Sequence, residues 1–342
     1  MLVRKTLSGL VAAALTLTAC NLAMAEENYE LDMPLGIWGL DSAILPLSGF
    51  YAQIVAARYQ ANDVKDGNGN NVQFNTLLPL APGVNVPVHG NVNSRITEDA
   101  VVPKFIYISD ESVWGGHAGA FLAIPLLKKT RDISVNVTTP LPPPYPTVIG
   151  QTASQLESGS HRGVGDIELT SFIGWKGEQV SYLLAFNIDA PTGSYDKTSQ
   201  VNLGLNHYSL RPLASVAYST ESGFDFAAAL SYNFNTVNKD TKYKSGQYMA
   251  LEYLGSYQFS NNIKAGLQGY YLNQTTNDED PNNSALVPIV NGFKARIVSL
   301  GPIASYQTDD LKNQVEFKWL AETGVRNRPQ GNLLVLTYSH LF

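Results

Sequence analysis

The sequence predicts an all-β protein, a transmembrane antiparallel up-and-down β-barrel of about twelve strands. Three observations predict it. Apolar residues recur at every second position over segments of roughly 10 to 15 residues, long enough for tilted strands to cross a bilayer. The connections between those segments alternate between short and long. The composition is aromatic-rich, weakly charged and cysteine-poor.

Composition removes the competing classes. Of 342 residues, 44% are hydrophobic, 10% aromatic and only 15% charged, against about 25% charged in an ordinary soluble domain. The aromatic content and a net charge of −6 argue against disorder. A single cysteine, Cys20, rules out a disulfide scaffold. A pI of 5.4 with no stripe of Lys and Arg gives nucleic acid no electrostatic footprint. Beyond the N-terminus, no apolar run approaches the roughly 18 residues a spanning helix needs.

Residues 1–25 read as a signal peptide: Arg4 and Lys5 form the basic region, Leu7 to Leu17 the apolar one, and Ala23-Met24-Ala25 the cleavage site. Leu17-Thr18-Ala19-Cys20 also has the look of a bacterial lipobox, which would make Cys20 an acylated first residue; the Ala-Met-Ala site favours simple cleavage. Residues 26–48, with Leu35, Ile37, Trp38 and Ile44, are apolar without strand alternation. They are expected either to plug a lumen or to form a periplasmic tail, and the barrel proper is expected over 49–342.

Strands are expected at 49–61, 98–109, 115–126, 163–175, 179–190, 206–219, 223–235, 247–259, 262–274, 293–307, 311–322 and 331–342. The first three alternate poorly; the later ones are regular, as in Phe224, Phe226, Ala228 and Leu230 against Asp225, Ala227 and Ala229. Tight turns fall at Asp110 to Trp114, Lys176 to Glu178, Thr220 to Ser222, Ser260 to Asn261 and Thr308 to Asp310. Long connections fall at 62–97, 127–162, 191–205, 236–246, 275–292 and 323–330. An outer-membrane barrel sorts its loops in this way, with short periplasmic turns and longer outer loops. Lipid offers amides no hydrogen-bond partner, so a spanning sheet must close on itself.

Alternation alone does not say which face is wet. One face carries aromatics near strand ends, Trp175, Tyr208, Tyr218, Phe224, Tyr257, Phe259 and Tyr306, as interfacial girdles require. The other carries Asp166, Glu168, Asp189, Arg211, Asp225, Glu252, Lys264, Glu316, Lys318 and Glu322, too many charges for a small dry core. These ten are the candidate lumen-lining residues. Leu334, Leu336, Tyr338 and Phe342 share one face of the last segment, and Tyr338 and Phe342 form a candidate signal for the barrel assembly machinery.

Several strings carry a family resemblance: Gly163-Val164-Gly165-Asp166, Pro191 to Asp196, Asn202-Leu203-Gly204-Leu205-Asn206 with Pro212, Asn238 with Thr241 to Gly246, Leu300-Gly301-Pro302, and Asn327 to Gly331. Through them the chain resembles the family named for the meta-pathway of phenol degradation, barrels of the outer membrane. The resemblance implies a channel for small hydrophobic or aromatic molecules, distantly reminiscent of the long-chain fatty-acid channels.

For the remaining motifs the structural reading weighs more. Gly165-Asp166 and Pro191 to Asp196 read as turn formers, with Asp166 at a pore mouth as the alternative. Lys264 near Glu252, and Lys318 beside Glu316, are expected to form a salt-bridged belt that holds the barrel's shape; no ring of one sign appears, so strong ion selectivity is not expected. Pro140 to Pro146 must be extended and stiffens an outer loop. His207 and Ser209 share a strand face, the spacing of a base and nucleophile, but that face is lumenal and no orienting group is evident. His89, His117, His161 and His340 are scattered. No catalytic residue, metal or cofactor is expected. The expected partners are outer-membrane lipid, the assembly machinery and a small apolar or aromatic solute. A structural barrel with an occluded lumen is the alternative.

Overall fold

The computed structural model describes residues 35–37, 47–81, 84–139, 148–153, 158–199, 201–279, 281 and 294–342. The expected signal peptide, Cys20 and the run Pro140 to Pro146 lie outside them. The strands are β1 (Gly49–Val64), β2 (Gln73–Ala81), β3 (Val84–Val113), β4 (Gly116–Ala123), β5 (Leu126–Thr139), β6 (Val148–Ala153), β7 (Gly159–Val164) and β8 (Ile167–Lys176). They continue with β9 (Val180–Ala190), β10 (Ser209–Ser219), β11 (Phe224–Asn235), β12 (Tyr248–Gln258), β13 (Ile263–Gln274), β14 (Arg296–Gln307), β15 (Asn313–Arg326) and β16 (Pro329–Leu341).

Twelve of them close into a ring. The order β3, β4, β8, then β9 through β16 in sequence, ends on β1, which pairs back to β3. The closure is long and antiparallel, running Tyr51↔Leu341 to Val64↔Pro329 on one side of β1 and Gly49↔Ile108 to Ala61↔Ile96 on the other. No edge strand remains in that ring, as a lipid-immersed sheet requires. Each expected strand falls within or across one of these twelve.

The two longest connections differ from the expectation. Residues 62–97 and 127–162 hold further strands rather than plain loops. β3 is 30 residues long and changes partner on one side: Lys104 to Val113 pair with β4, while His89 to Val101 pair with β5. Its upper half also pairs with β2, and β5 pairs with β6 and β7. This crown keeps its own period of two: Val86, Val88, Val92 and Ile133 are buried, while Asn85, His89, Asn91 and Asp132 are exposed. The strand expected over 163–175 is divided at Gly165-Asp166, opposite a second break at Ile124-Pro125. Proline has no amide to give the ladder. At this junction the Gly165 amide donates instead to the Pro125 carbonyl at 2.8 Å.

The outward face is apolar. Leu184, Phe226, Leu230, Leu267, Phe317 and Trp319 are each about half exposed, and together such residues form a continuous band far larger than a soluble monomer leaves uncovered. At the short-turn end Phe224, Tyr257 and Phe259 meet in succession, tilted and then edge to face, with centroids 4.8 and 5.0 Å apart. Phe342 packs on Phe50 at 5.6 Å, and the Tyr338 hydroxyl donates to Asn313 at 2.8 Å.

Candidate functional site

Because side chains alternate across each strand, the outward apolar series forces its complement inward. Glu168, Asp189, Arg211, Asp225, Glu252, Lys264, Glu316, Lys318 and Glu322 all fall on the inner face, where they are covered by one another and by neighbouring strands. They form separate groups.

On β8 to β10, the Asn187 amide donates to Glu168 at 2.7 Å and to Thr170 at 2.8 Å, while its carbonyl accepts from Arg211 at 3.1 Å. Arg211 also meets Asp189 at 3.4 Å. Near the short-turn end, Lys264 pairs with Asp225 at 2.9 Å. The sequence suggests Lys264 near Glu252, but the β12/β13 register sets it opposite Gln258 and sets Glu252 opposite Tyr270. Six residues of strand, about 20 Å, separate the two positions.

Glu252 has a different partner. It accepts the Gly36 amide at 3.1 Å, and Gln268 donates to the Gly36 carbonyl at 3.4 Å. Lys318, fully covered, pairs with Glu316 at 3.0 Å and donates to the Ile37 carbonyl at 3.1 Å. Residues 35–37 therefore lie inside the barrel, gripped through their backbone, with the Leu35 side chain in the apolar cluster beside them. Nearer the outer end, Glu322 accepts the hydroxyls of Tyr59 and Tyr270 at 2.8 Å each and the Gly331 amide at 2.8 Å.

Asp166 stands apart from these groups. Its two carboxylate oxygens accept the amides of Gly193 at 2.7 Å and Leu205 at 2.8 Å, fastening the 191–208 connection over the Gly165 break. Ser209 donates to Asn235 at 3.0 Å, and Nδ1 of His207 lies 3.1 Å from the Leu205 carbonyl.

Apolar clusters and polar groups share the inner face in unequal proportions around the ring. On β12 to β16 and β1, Val55, Tyr248, Leu272, Ile297, Leu320 and Val335 belong to one buried apolar cluster. On β8 to β11 the inner face carries more polar groups, Thr170, Asn187, Arg211, Ser215, Ser231 and Asn233, together with Leu183 and Leu213, which join Ile108 of β3 in a smaller apolar cluster. Tyr59, Lys104 and Asn187 were not singled out from the sequence. A criterion of charge alone passes over Asn187, although it sits in phase with Asp189. Lys104, whose Nζ lies 3.9 Å from the Phe121 ring centroid, belongs to a strand whose alternation is poor.

Residues 61–338 match the family described as "Putative MetA-pathway of phenol degradation". The chain belongs to this family. Among solved structures, an outer membrane channel from Pseudomonas putida F1 matches with a TM-score of 0.63 at 15% identity, over 91% of this chain and 100% of that one. Looser matches are the P. putida toluene transporter TodX (TM-score 0.41, 10% identity, 89% of this chain and 92% of that one) and a Pseudomonas aeruginosa FadL homologue (0.40, 10%, 94% and 96%). No curated protein matches. Closed ring, lipophilic outer band and family together make this member an outer-membrane β-barrel.

Proposed function

We propose that the protein is a passive channel for small apolar or aromatic solutes, working without ATP or covalent chemistry. The observation that carries this reading is a closed twelve-strand barrel whose inner face sets apolar clusters around Tyr248, Leu320 and Val335 and around Ile108, Leu183 and Leu213 among polar groups. An aromatic ring buries about 150 Å² or more. At roughly 25 cal/mol per Å² that is about 4 kcal/mol, the free energy of a millimolar dissociation constant. Binding of that strength admits a solute and releases it, which conduction requires.

The grip on Gly36 and Ile37 supports reading residues 26–48 as a lumen plug rather than a periplasmic tail. Glu316–Lys318, Asp225–Lys264 and Asp189–Arg211 hold the wall in shape, and their mixed signs do not favour ions of either charge. Tyr338 and Phe342 present their rings outward for the assembly machinery. No catalytic role is assigned to Ser209, whose proton goes to Asn235.

Uptake of radiolabelled phenol-like compounds and fatty acids, compared between deletion and complemented cells, tests the function. Faster uptake of the apolar probes by complemented cells is expected. Equal rates, with correctly inserted protein that is silent in planar bilayers, would instead support a structural barrel. Deleting residues 27–47 should raise single-channel conductance; unchanged conductance would refute the plug.

A further inference from the structure

At the loop-bearing end the outer wall carries a group of cations that, among the described residues, have no carboxylate partner. Arg296 opens β14, Arg326 closes β15, and the two are direct cross-strand partners. Like charges set opposite each other destabilise a ladder.

A bulge creates this pairing. Val298 pairs with Thr323 while Arg296 pairs with Arg326, so β15 carries one extra residue, and Gly324 within it has φ +58. Up to that point Lys318, Leu320 and Glu322 point inward. A regular strand would turn residue 326 inward as well. The bulge shifts the phase, burying Val325 in the lumenal cluster and exposing Arg326 on the outer side. Bulges re-aim side chains in this way, and Gly supplies the left-handed conformation at least cost.

The surroundings are those of an anion site. Arg296 donates Nε to the Gly324 carbonyl at 3.3 Å. Lys294, exposed two residues before it, donates to the Thr275 carbonyl at 2.7 Å. Among the described residues none of the three cations forms an ion pair, whereas the outward Arg58 of β1 is matched by Asp99 at 3.6 Å. Toward the short-turn end, the same face continues with Val298, Leu300 and Trp319, the latter two about half exposed. The cations therefore stand where the apolar band ends at the loop-bearing rim.

We propose that Arg296 and Arg326, with Lys294 beside them, form a docking site for the phosphate of an outer-leaflet lipid headgroup, its acyl chains lying over Val298, Leu300 and Trp319. Two guanidinium forks can hold one phosphate through paired hydrogen bonds, and the anion removes the repulsion built into the ladder. The inference rests on the barrel's outer-membrane orientation and is independent of the solute.

The test is native mass spectrometry of the full mature protein in detergent, offered lipid A in its phosphorylated and dephosphorylated forms. The phosphorylated lipid should be retained, and Arg296→Gln/Arg326→Gln should weaken retention by about tenfold or more. Arg58→Gln should leave retention nearly unchanged, and Arg296→Lys/Arg326→Lys should fall between. Heat-modifiable migration and single-channel conductance of each variant report separately on the barrel and the channel. Equal retention of the dephosphorylated lipid, undiminished retention by the folded Gln variant, or displacement by equimolar inorganic phosphate would overturn the proposal. Should the Gln variant lose its heat-modifiable form, the Lys variant decides: retention equal to wild type refutes the site.

Discussion

The wall from β8 to β16 and the crown built from β2, β5, β6, β7 and the upper half of β3 are both antiparallel sheet, yet they obey different constraints. In the wall each strand is one amphipathic span between a tight turn and a longer connection, and it keeps the same two neighbours throughout. In the crown β3 runs past the barrel, exchanges β4 for β5, and the ladder breaks at Ile124-Pro125 and Gly165-Asp166. Bilayer thickness limits the length of a wall strand, while nothing limits β3 in the same way. The wall is held by closure and by what fills it; where the crown meets it, the Asp166 carboxylate latches the 191–208 connection.

The largest expected effect breaks the filling of the wall. Lys318→Met leaves the covered Glu316 without its cation and strips donors from Ile37 and Gln268. Removing one partner of a buried pair costs about 3–5 kcal/mol, whereas replacing both by apolar groups can be neutral. The unfolding temperature, read as loss of the fast-migrating band on unheated gels, should drop for Lys318→Met and recover much of the loss in Glu316→Leu/Lys318→Met. A double variant as unstable as the single would remove the pair from the account.

Next comes the latch. Asp166→Ala deprives the Gly193 and Leu205 amides of a charged acceptor, each such bond contributing about 1.5–3 kcal/mol. Exchange at these amides should accelerate by one to two orders of magnitude, with proteolysis appearing in the 191–205 connection. Amides of β12 to β15 should keep their protection. Loss of protection throughout would show that the junction supports the wall as well as the loop.

This contrast also explains what the sequence alone could reveal. The wall was legible because a strand with one face in lipid must alternate: Phe224, Phe226 and Leu230 against Asp225, Ala227 and Ala229 can be read directly. The crown was not, because strands 84–95 and 131–139 are short-period segments embedded in connections whose length argued for loops, and partner exchange leaves no local mark. In the lumen, alternation located the charges but not their partners. Pairing depends on register, which placed Lys264 against Asp225, and on the chain entering from residues 35–37, whose backbone donors and acceptors no side-chain pattern announces.

The smallest effect sharpens the comparison at the opposite end of the barrel. Asp310, in the turn between β14 and β15, is a solvent-exposed counterpart of Asp166. Its carboxylate accepts the Thr308 hydroxyl at 2.5 Å and the Lys312 amide at 3.0 Å. The Thr308 hydroxyl first, and the Lys312 amide second, hold its pKa below the usual aspartate range. A carboxyl whose pKa is depressed on folding stabilises the turn above its unfolded-state pKa, and the contribution is lost as pH falls through the lower, folded value. A carbon-13 carboxyl titration of the micelle-bound protein should therefore place the Asp310 midpoint below that of an unstructured aspartate. Thr308→Ala should move it back up while leaving the gel shift intact. If the midpoint stays low without the hydroxyl, the depression belongs to the turn's backbone amides, and the two ends of the barrel fasten their connections in the same manner.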